Sequence, residues 1–228
     1  MMAEPPQAFV FDAYGTLFDV HSVAVVADDL APGRGVELSR VWRAKQLEYT
    51  WLSSLMASAT HPRRDFDDLT ARALEHATEA LGLELHADAK RRLCAAYLSL
   101  SPFPDARDAL AALAPRPRWI LSNGTAQSLG TLVQGSGLAP FLTGVWSVDE
   151  VDVYKPSPRV YELAQQRIGL PAASIAFVSS NAWDAIGAQS YGFRSFWINR
   201  GGAPLDRHGP PPSHVLASLA ELPAMATR

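Results

Sequence analysis

Cysteine, long apolar runs and blocks of basic residues are scarce or missing in this sequence. Its 228 residues include one cysteine, Cys94, so an intrachain disulfide is excluded, which is compatible with a reducing compartment. No run approaches the roughly 18 consecutive apolar residues of a membrane-spanning helix. The N-terminal Met-Met-Ala-Glu-Pro-Pro also lacks the basic and apolar regions of a signal peptide. We therefore expect a cytoplasmic protein that has no membrane partner.

Positively and negatively charged residues are nearly equal in number. Lys and Arg number 20 and Asp and Glu number 23, so the formal net charge is −3 and we expect no bulk nucleic-acid binding. Hydrophobic residues make up 48% and charged residues 19%, a composition typical of a folded globular chain. The length allows one substantial core and a smaller inserted domain.

Short apolar runs alternate with longer helical patterns over most of the chain. Strands are predicted at Ala8 to Asp12, Arg118 to Ser122, Gly144 to Ser147, Ile175 to Ser179 and Arg194 to Ile198. Helices are predicted between them, at Asp105 to Leu113, Ala126 to Gly135, Pro158 to Ile168 and Ala182 to Tyr191. The alternation predicts an α/β fold with a doubly wound, mostly parallel, Rossmann-like sheet.

The part from Val20 to about Leu100 contains no convincing strand. It is predicted as amphipathic helices interrupted at Ala31-Pro32-Gly33, His61-Pro62 and Leu81-Gly82-Leu83. One of these helices, Ser39 to Ser58, is predicted to carry an apolar face of Val41, Ala44, Leu47, Trp51 and Leu55. We therefore predict an all-helical cap domain of residues 19–100, inserted into an α/β core of residues 1–18 and 101–228.

Polar residues follow the predicted strands. The set consists of Asp12, Thr16, Ser122, Asn123, Lys155, Ser179, Asn181 and Asp184. Taken singly, each is explained as a helix cap, a turn residue or a solvated charge. Ligands of open α/β sheets bind at the carboxyl ends of the strands, so the set as a whole favours an active site there.

Four short segments carry a resemblance to a known superfamily. Phe-Asp-Ala-Tyr-Gly-Thr-Leu, which contains Asp12, resembles the first motif of the haloacid dehalogenase superfamily. Leu-Ser-Asn-Gly is similar to its second motif, Tyr-Lys-Pro to its third and Val-Ser-Ser-Asn-Ala-Trp-Asp to its fourth. The motifs occur in the superfamily's order and span nearly the whole chain, which implies a haloacid dehalogenase-like core with a cap.

Tyr14 separates two branches of that superfamily. Phosphatases of the superfamily usually have a second Asp at this position as general acid and base, and tyrosine does not replace it at neutral pH. Asn181 also stands where an acidic Mg²⁺ ligand is common, and haloacids carry no phosphate charge for a metal to neutralise. Residues 41–52, Val-Trp-Arg-Ala-Lys-Gln-Leu-Glu-Tyr-Thr-Trp-Leu, closely resemble the cap helix of L-2-haloacid dehalogenases, whose arginine matches Arg43.

The resemblance implies hydrolysis of short-chain 2-haloacids with inversion at C2, using water and no metal or cofactor. Asp12 would attack C2, while Lys155, Thr16 and Ser179 would keep its carboxylate ionised and oriented. Asp184 and Asn181 would activate the water that cleaves the aspartyl ester.

The remaining roles concern substrate and halide. Ser122 and the backbone N–H groups after Asp12, at Ala13 and Tyr14, would receive the substrate carboxylate. Arg43 and Asn123 would bind the leaving halide, with the ring edge of Trp183 nearby. An apolar wall is predicted from Tyr14, Leu47, Phe66 and Trp183, although Leu47 and Phe66 are equally explained by packing inside the cap. Tyr161 matches a family residue that supports the region of Lys155.

Two other functions stay open at this point, a Mg²⁺-dependent phosphatase of the same fold and a non-catalytic binding protein. The intact set of Asp12, Lys155 and Asp184 argues against the second. The six histidines show no spacing typical of metal ligands. We also expect a homodimer, for which Trp51, Leu52 and Leu55 offer apolar surface unless they belong to the core of the cap.

Overall fold

Six parallel strands form the central sheet of the protein, whose computed structural model describes residues 4–225. The strands are β1 (Ala8–Phe11), β2 (Arg118–Ser122), β3 (Gly144–Ser147), β4 (Ile175–Ser179), β5 (Arg194–Ile198) and β6 (His214–Leu216). Their order is β3-β2-β1-β4-β5-β6, and every neighbouring pair is parallel. The predicted α/β class with a Rossmann-like sheet is therefore confirmed. The first three residues of the stretch used to argue against a signal peptide lie outside the described residues.

The strand predictions differ from the structure in two places. β1 ends at Phe11 and not at Asp12, although the Asp12 N–H still donates to the Val178 carbonyl at 2.9 Å. The short strand β6 was not predicted. It has three residues and its Val215 is 53% exposed, so it offers neither the length nor the buried apolar run by which a strand is predicted.

The chain order of the sheet reverses at its centre. β1 pairs with β2 on one side and with β4 on the other, and all residues of β1 and β4 are buried. Strands buried on both faces need continuous apolar sequences, which Ala-Phe-Val-Phe and Ile-Ala-Phe-Val provide. In such sheets the crevice for a ligand opens beyond the carboxyl ends of the two strands at the reversal, here at Asp12 and Ser179.

Nine α-helices lie in the described part of the chain. They are α1 (Val23–Leu30), α2 (Gly35–Met56), α3 (Phe66–Ala80), α4 (Ala87–Ala96), α5 (Ala106–Ala112), α6 (Ala126–Gly135), α7 (Pro158–Ile168), α8 (Ala182–Tyr191) and α9 (Leu222–Met225). Short 3₁₀ helices occur at Val20–Ser22, Tyr97–Ser99, Ala139–Phe141, Val148–Glu150, Ala172–Ser174 and Leu219–Glu221. No helix within residues 4–225 has the length and apolarity to cross a bilayer.

The segment between Val20 and Ser99 contains helices and no strand, and its helices break near the predicted positions. Asp65 is the N-cap residue of α3, and its side chain accepts a hydrogen bond from the Asp68 N–H at 2.8 Å, which favours the start of the helix at Phe66. The division into a core of residues 1–18 and 101–228 and a cap of residues 19–100 stays a prediction.

The predicted apolar face of α2 is confirmed only in part, because Val41, Leu47 and Trp51 are half-buried. Ala44 is exposed and Leu55 is 82% exposed, whereas the buried side of the helix carries Arg43, Gln46 and Thr50. Polar side chains can occupy a buried helix face when hydrogen bonds satisfy them. Hydrophobic periodicity therefore misses the polar part of the buried face, which lies beside Leu38 and Trp42.

Two chain segments connect the helical part to the sheet, and they run side by side. The Asp19 N–H donates to the Ser101 carbonyl at 2.8 Å, and the Phe103 N–H donates to the Leu17 carbonyl at 2.9 Å. An antiparallel bridge joins Phe18 to Pro102 between them. These backbone hydrogen bonds lie immediately after the loop that contains Asp12, so the position of that loop is tied to the connection.

Candidate active site

Asp12 lies at the carboxyl end of β1 and receives hydrogen bonds on both oxygens. Its Oδ2 accepts from Thr16 Oγ1 at 2.9 Å and from Asn181 Nδ2 at 2.8 Å, with Ser179 Oγ at 3.5 Å. Its Oδ1 accepts from Lys155 Nζ at 3.1 Å. The loop can turn back toward the strand because Gly15 adopts a φ of 91°, which favours glycine. Several donors thus fix the orientation of a carboxylate that is 5% exposed.

Lys155 joins two buried carboxylates. Its Nζ lies 3.1 Å from Asp12 Oδ1 and 3.0 Å from Asp184 Oδ2, and the side chain is 1% exposed. Burial opposes a charge on this amine, but the carboxylates of Asp12 and Asp184 outweigh it and raise the pKa of Lys155. The Lys155 N–H donates to Asn123 Oδ1 at 3.1 Å, which holds the backbone of the lysine at the end of β2.

Asp184, in the first turn of α8, is fully buried. Burial raises its pKa to about 6, although Lys155 beside it acts in the opposite direction. Tyr161 Oη donates to Asp184 Oδ1 at 2.8 Å, and this hydrogen bond also favours the ionised form. A carboxyl with such a pKa exchanges protons near neutral pH, as a general base must.

Tyr161 reaches Asp184 across the gap between α7 and α8. A side chain at Gly187 would close that gap, because a Cβ placed there would lie 2.6 Å from Tyr161 Oη. The family resemblance implied that Tyr161 supports the region of Lys155. In the structure its hydroxyl contacts Asp184, the second carboxylate partner of Lys155.

Arg43 approaches the loop after β1 from α2. Its Nη2 donates to the Tyr14 carbonyl at 3.2 Å and its Nη1 donates to Gln46 Oε1 at 2.7 Å. Gln46 Nε2 then donates to Thr70 Oγ1 at 2.6 Å, which links α2 to α3. Arg43 is 9% exposed, so its hydrogen bonds hold a cation in a largely desolvated position.

Gln46 and Thr70 were not predicted as part of the site. The available signal was the set of polar residues at helical spacing on α2, Arg43, Gln46 and Thr50, which suggests a second, polar face. The prediction of the buried face relied instead on the apolar residues of the neighbouring face, so this signal was not used.

Ser122 and Asn123 follow β2, next to β1. Ser122 is fully buried, and its Oγ accepts a hydrogen bond from the Gly124 N–H at 3.2 Å. Asn123 uses its Oδ1 for Lys155, and its Nδ2 makes no hydrogen bond within residues 4–225. Within the same range, no group accepts from the backbone N–H groups of Ala13 and Tyr14. These donors are therefore available to an anion.

The four residues of the predicted apolar wall do not line one cavity. Tyr14 and Phe66 have ring centroids 5.1 Å apart and border a cavity of about 290 Å³ that Tyr97 and Cys94 also line. Leu47 and Trp183 border a groove of about 730 Å³, together with Arg43 and Asn181. The structure thus brings the polar residues together and divides the apolar ones between two openings.

Comparison with known proteins decides the family. The sequence profile of the haloacid dehalogenase-like hydrolase family matches residues 6–192. The chain belongs to this family.

Relatives within the haloacid dehalogenase-like hydrolases cover almost the whole chain. The (S)-2-haloacid dehalogenase of Pseudomonas sp. (strain YL) is 48% identical over 215 residues, which are 93% of this chain and 91% of the relative. The crystal structure of an L-2-haloacid dehalogenase has a TM-score of 0.94 and 42% identity, and covers 98% of this chain and 100% of that chain. The L-2-haloacid dehalogenase of Xanthobacter autotrophicus, solved with chloropropionic acid covalently bound, has a TM-score of 0.88, 38% identity and coverages of 96% and 98%.

The site of this haloacid dehalogenase-like hydrolase does not suit a hard cation. In the described part of the chain, no group of three or more His, Cys, Asp or Glu side chains could hold a metal ion. Lys155 Nζ occupies the space between the carboxylates of Asp12 and Asp184, and Asn181 contributes an amide nitrogen to Asp12. Mg²⁺ prefers several oxygen ligands, but Asp12 Oδ2 and the Tyr14 carbonyl already accept hydrogen bonds from Asn181 Nδ2, and the carbonyl also accepts one from Arg43.

Proposed function

We propose that the protein hydrolyses short-chain (S)-2-haloacids to (R)-2-hydroxyacids and halide. One observation carries the proposal, namely that Lys155 lies between two buried carboxylates whose environments differ. Asp12 is held by Lys155, Thr16 and Asn181, as an oriented nucleophile would be. Asp184 is fully buried, is held by Lys155 and Tyr161, and has a pKa raised to about 6, as a general base would. The (S)-2-haloacid dehalogenases that resemble the chain over 91% or more of their length support the same reaction.

In the first step Asp12 displaces the halogen. A carboxylate oxygen of Asp12 forms a bond to C2 as the carbon–halogen bond breaks, and the halide leaves with the electron pair. Attack from the face opposite the halogen inverts the configuration at C2. Lys155, Thr16 and Asn181 hold the carboxylate in a fixed orientation by hydrogen bonds, which reduces the entropy cost of reaching the transition state.

In the second step Asp184 takes a proton from water, and the oxygen of that water attacks the carbonyl carbon of the Asp12 ester. The 2-hydroxyacid leaves with the oxygen that Asp12 had supplied, and the carboxylate is restored. Tyr161 and Lys155 hold Asp184 by hydrogen bonds. Because water attacks the ester and not C2, only one inversion occurs.

Hydrogen-bond donors near Asp12 bind the carboxylate of the substrate and the departing halide. The Ser122 hydroxyl and the N–H groups of Ala13 and Tyr14 receive the carboxylate. Arg43 and Asn123 stabilise the halide as its charge grows.

The proposal is tested by halide release from the separate enantiomers of 2-chloropropionate with EDTA present throughout. We expect turnover of the S enantiomer alone, with (R)-lactate as the product. Turnover of the R form would contradict the assigned stereochemistry. If neither enantiomer reacts, and a generic phosphoester is hydrolysed only with Mg²⁺, the protein is a phosphatase and the proposal is wrong.

The raised pKa of Asp184 predicts that kcat decreases on the acidic side of the pH profile. Asp184 must be ionised to act as a base, so kcat should fall about tenfold per pH unit below about pH 6. The hydrogen bond from Tyr161 lowers the pKa of Asp184, so Tyr161→Phe should move this limb upward by about one pH unit. Tyr191→Phe is the matched control, because its ring packs beside Tyr161 and its hydroxyl contacts Gln165 instead. A limb that stays in place in Tyr161→Phe would show that another group titrates.

We also propose that two copies of the chain pair through α2. Leu55 is 82%, Met56 57% and Leu52 40% exposed. Together they form an apolar patch near the end of α2, and the exposure of such a patch to water is unfavourable. Trp51 packs against Trp183 at 5.4 Å, so it belongs in part to the interior of a single chain. Sedimentation equilibrium should give twice the monomer mass, and a monomer at micromolar concentration would contradict the pairing.

A cytoplasmic location is our proposal for the protein. It is supported by Cys94, the single cysteine of the sequence, which leaves the fold without an intrachain disulfide. Fractionation of the producing cells tests it, and recovery outside the cytoplasmic fraction would contradict it.

A further inference from the structure

Arg200 lies two residues beyond β5, close to the connection between the helical part and the sheet. Its Nη1 and Nη2 donate to Asp105 Oδ2 and Oδ1 at 3.0 and 3.1 Å, which is the paired geometry that guanidinium and carboxylate favour. Its Cζ lies 4.1 Å from the ring centroid of Phe103. Phe103 in turn donates its N–H to the Leu17 carbonyl, so the arginine packs directly on the connecting segments.

The same guanidinium reaches the loop that contains the nucleophile. Arg200 Nη2 donates to the backbone carbonyl of Thr16 at 3.2 Å. The Thr16 hydroxyl donates to Asp12 Oδ2 at 2.9 Å and accepts from the Ser180 N–H at 2.8 Å. Thr16 is fully buried, so the hydrogen bonds at its two ends set its position.

We propose that Arg200 is a positioning residue of the reaction, which holds Thr16 so that its hydroxyl stays on Asp12. The proposal rests on the assignment of Asp12 as the nucleophile. Arg200 is 23% exposed at its side chain and lies in the groove that Arg43 and Trp183 also line, yet it contacts Asp12 only through Thr16. Small displacements of an aligned nucleophile cost large factors in rate, so a contact of this kind acts on kcat.

Lysine does not reproduce this arrangement. Its single ammonium lacks the planar fork with which arginine contacts Asp105 through two nitrogens and Thr16 through one of them. Arg200→Lys keeps the positive charge and most of the side-chain volume. A loss of activity in this variant is therefore due to the lost hydrogen-bond geometry and not to lost charge or packing.

The first measurement is steady-state halide release by Arg200→Lys. We expect kcat to fall about tenfold while KM changes less than about twofold, because the substrate contacts are untouched. Arg107→Lys is the matched control, since Arg107 also lies over an aromatic ring, at 5.5 Å from Phe141, but is exposed and forms no side-chain hydrogen bond with Asp105 or Thr16 within residues 4–225. It should keep the kcat of the unaltered protein.

The decisive measurement is a double-mutant cycle with Thr16→Val, which lacks the hydroxyl. If Arg200 acts through that hydroxyl, Arg200→Lys should lower kcat about tenfold in the original background and less than about twofold in Thr16→Val. Its effect on the melting temperature should be the same in both backgrounds, as any purely structural effect would be. An equal loss of kcat in both backgrounds, or no loss in the first, would overturn the proposal.

A second variant keeps the test conclusive if Arg200→Lys does not fold. Asp105→Asn retains an oxygen for the Leu219 N–H, which donates to Asp105 Oδ2 at 2.8 Å. The substitution removes the negative charge and one of the two acceptors for Arg200, and so weakens the contact with the guanidinium. It should also lower kcat, and this loss should also disappear in Thr16→Val. The proposed function is checked separately, because the unaltered protein must release halide before either cycle is interpreted.

Discussion

Asp12→Asn is expected to lower halide release by at least about 10⁴-fold, the largest effect of any single substitution in the protein. The amide is a poor nucleophile, and it also mismatches its surroundings. Both oxygens of Asp12 accept hydrogen bonds, from Lys155 on one side and from Thr16 and Asn181 on the other. An amide nitrogen on either side would meet a donor, so the side chain would lose a partner and its alignment.

The control for this substitution is Asp29→Asn, which alters an exposed aspartate paired with Arg92 on the surface. It should leave kcat unchanged. A single turnover of the unaltered enzyme in H₂¹⁸O provides an independent check on the nucleophile. The product hydroxyl should then carry no ¹⁸O, because its oxygen comes from Asp12. Incorporation of ¹⁸O into the product in that first turnover would mean that water attacks C2 directly.

The fold was predictable because local patterns agree with the tertiary arrangement. The strands at the centre of the sheet are buried on both faces, so their sequences are continuous apolar runs that differ from the helices around them. The polar residues at their carboxyl ends were expected to lie close together. Three of them do so, because Lys155 Nζ lies 3.1 Å from Asp12 Oδ1 and 3.0 Å from Asp184 Oδ2. Their roles in the reaction stay predictions.

The parts that the sequence did not indicate depend on contacts between distant residues. Gln46 pairs with Thr70 and Arg200 pairs with Asp105, at separations of 24 and 95 positions, and no local pattern identifies the partner of either residue. The polar buried face of α2 has the same cause, since Arg43 and Gln46 become acceptable there only after α3 and the loop at Tyr14 supply partners. A pattern based on hydrophobicity treats such residues as exposed.

Lys155→Met is expected to damage both activity and stability. The substitution keeps the aliphatic stem. It removes the only cation of residues 4–225 that lies within hydrogen-bond distance of two carboxylates, which are 5% and 0% exposed. Breaking a buried ion pair in this way costs about 3–5 kcal/mol of unfolding free energy, because the remaining charges are left uncompensated. Halide release should fall at least about a thousandfold, since Asp12 loses a hydrogen-bond donor that orients it and Asp184 loses the cation that favours its ionised form.

The pH dependence of that stability loss separates a lost charge from lost packing. Asp184 already has a pKa of about 6, above the roughly 3.9 of an aspartate in the unfolded chain, and loss of the amine, which lowers that pKa, should raise it further in the folded variant. The folded variant then binds protons more tightly than the folded unaltered protein does, so lowering the pH from 7 to 5 should stabilise the variant more than it stabilises the unaltered protein. Urea unfolding at both pH values measures this, with Lys90→Met, which removes a partly exposed partner of Glu75, as a control that costs less than about 1 kcal/mol. A deficit that is equal at pH 7 and pH 5 would mean that Lys155 stabilises the fold by packing and not as the counter-charge of the two aspartates.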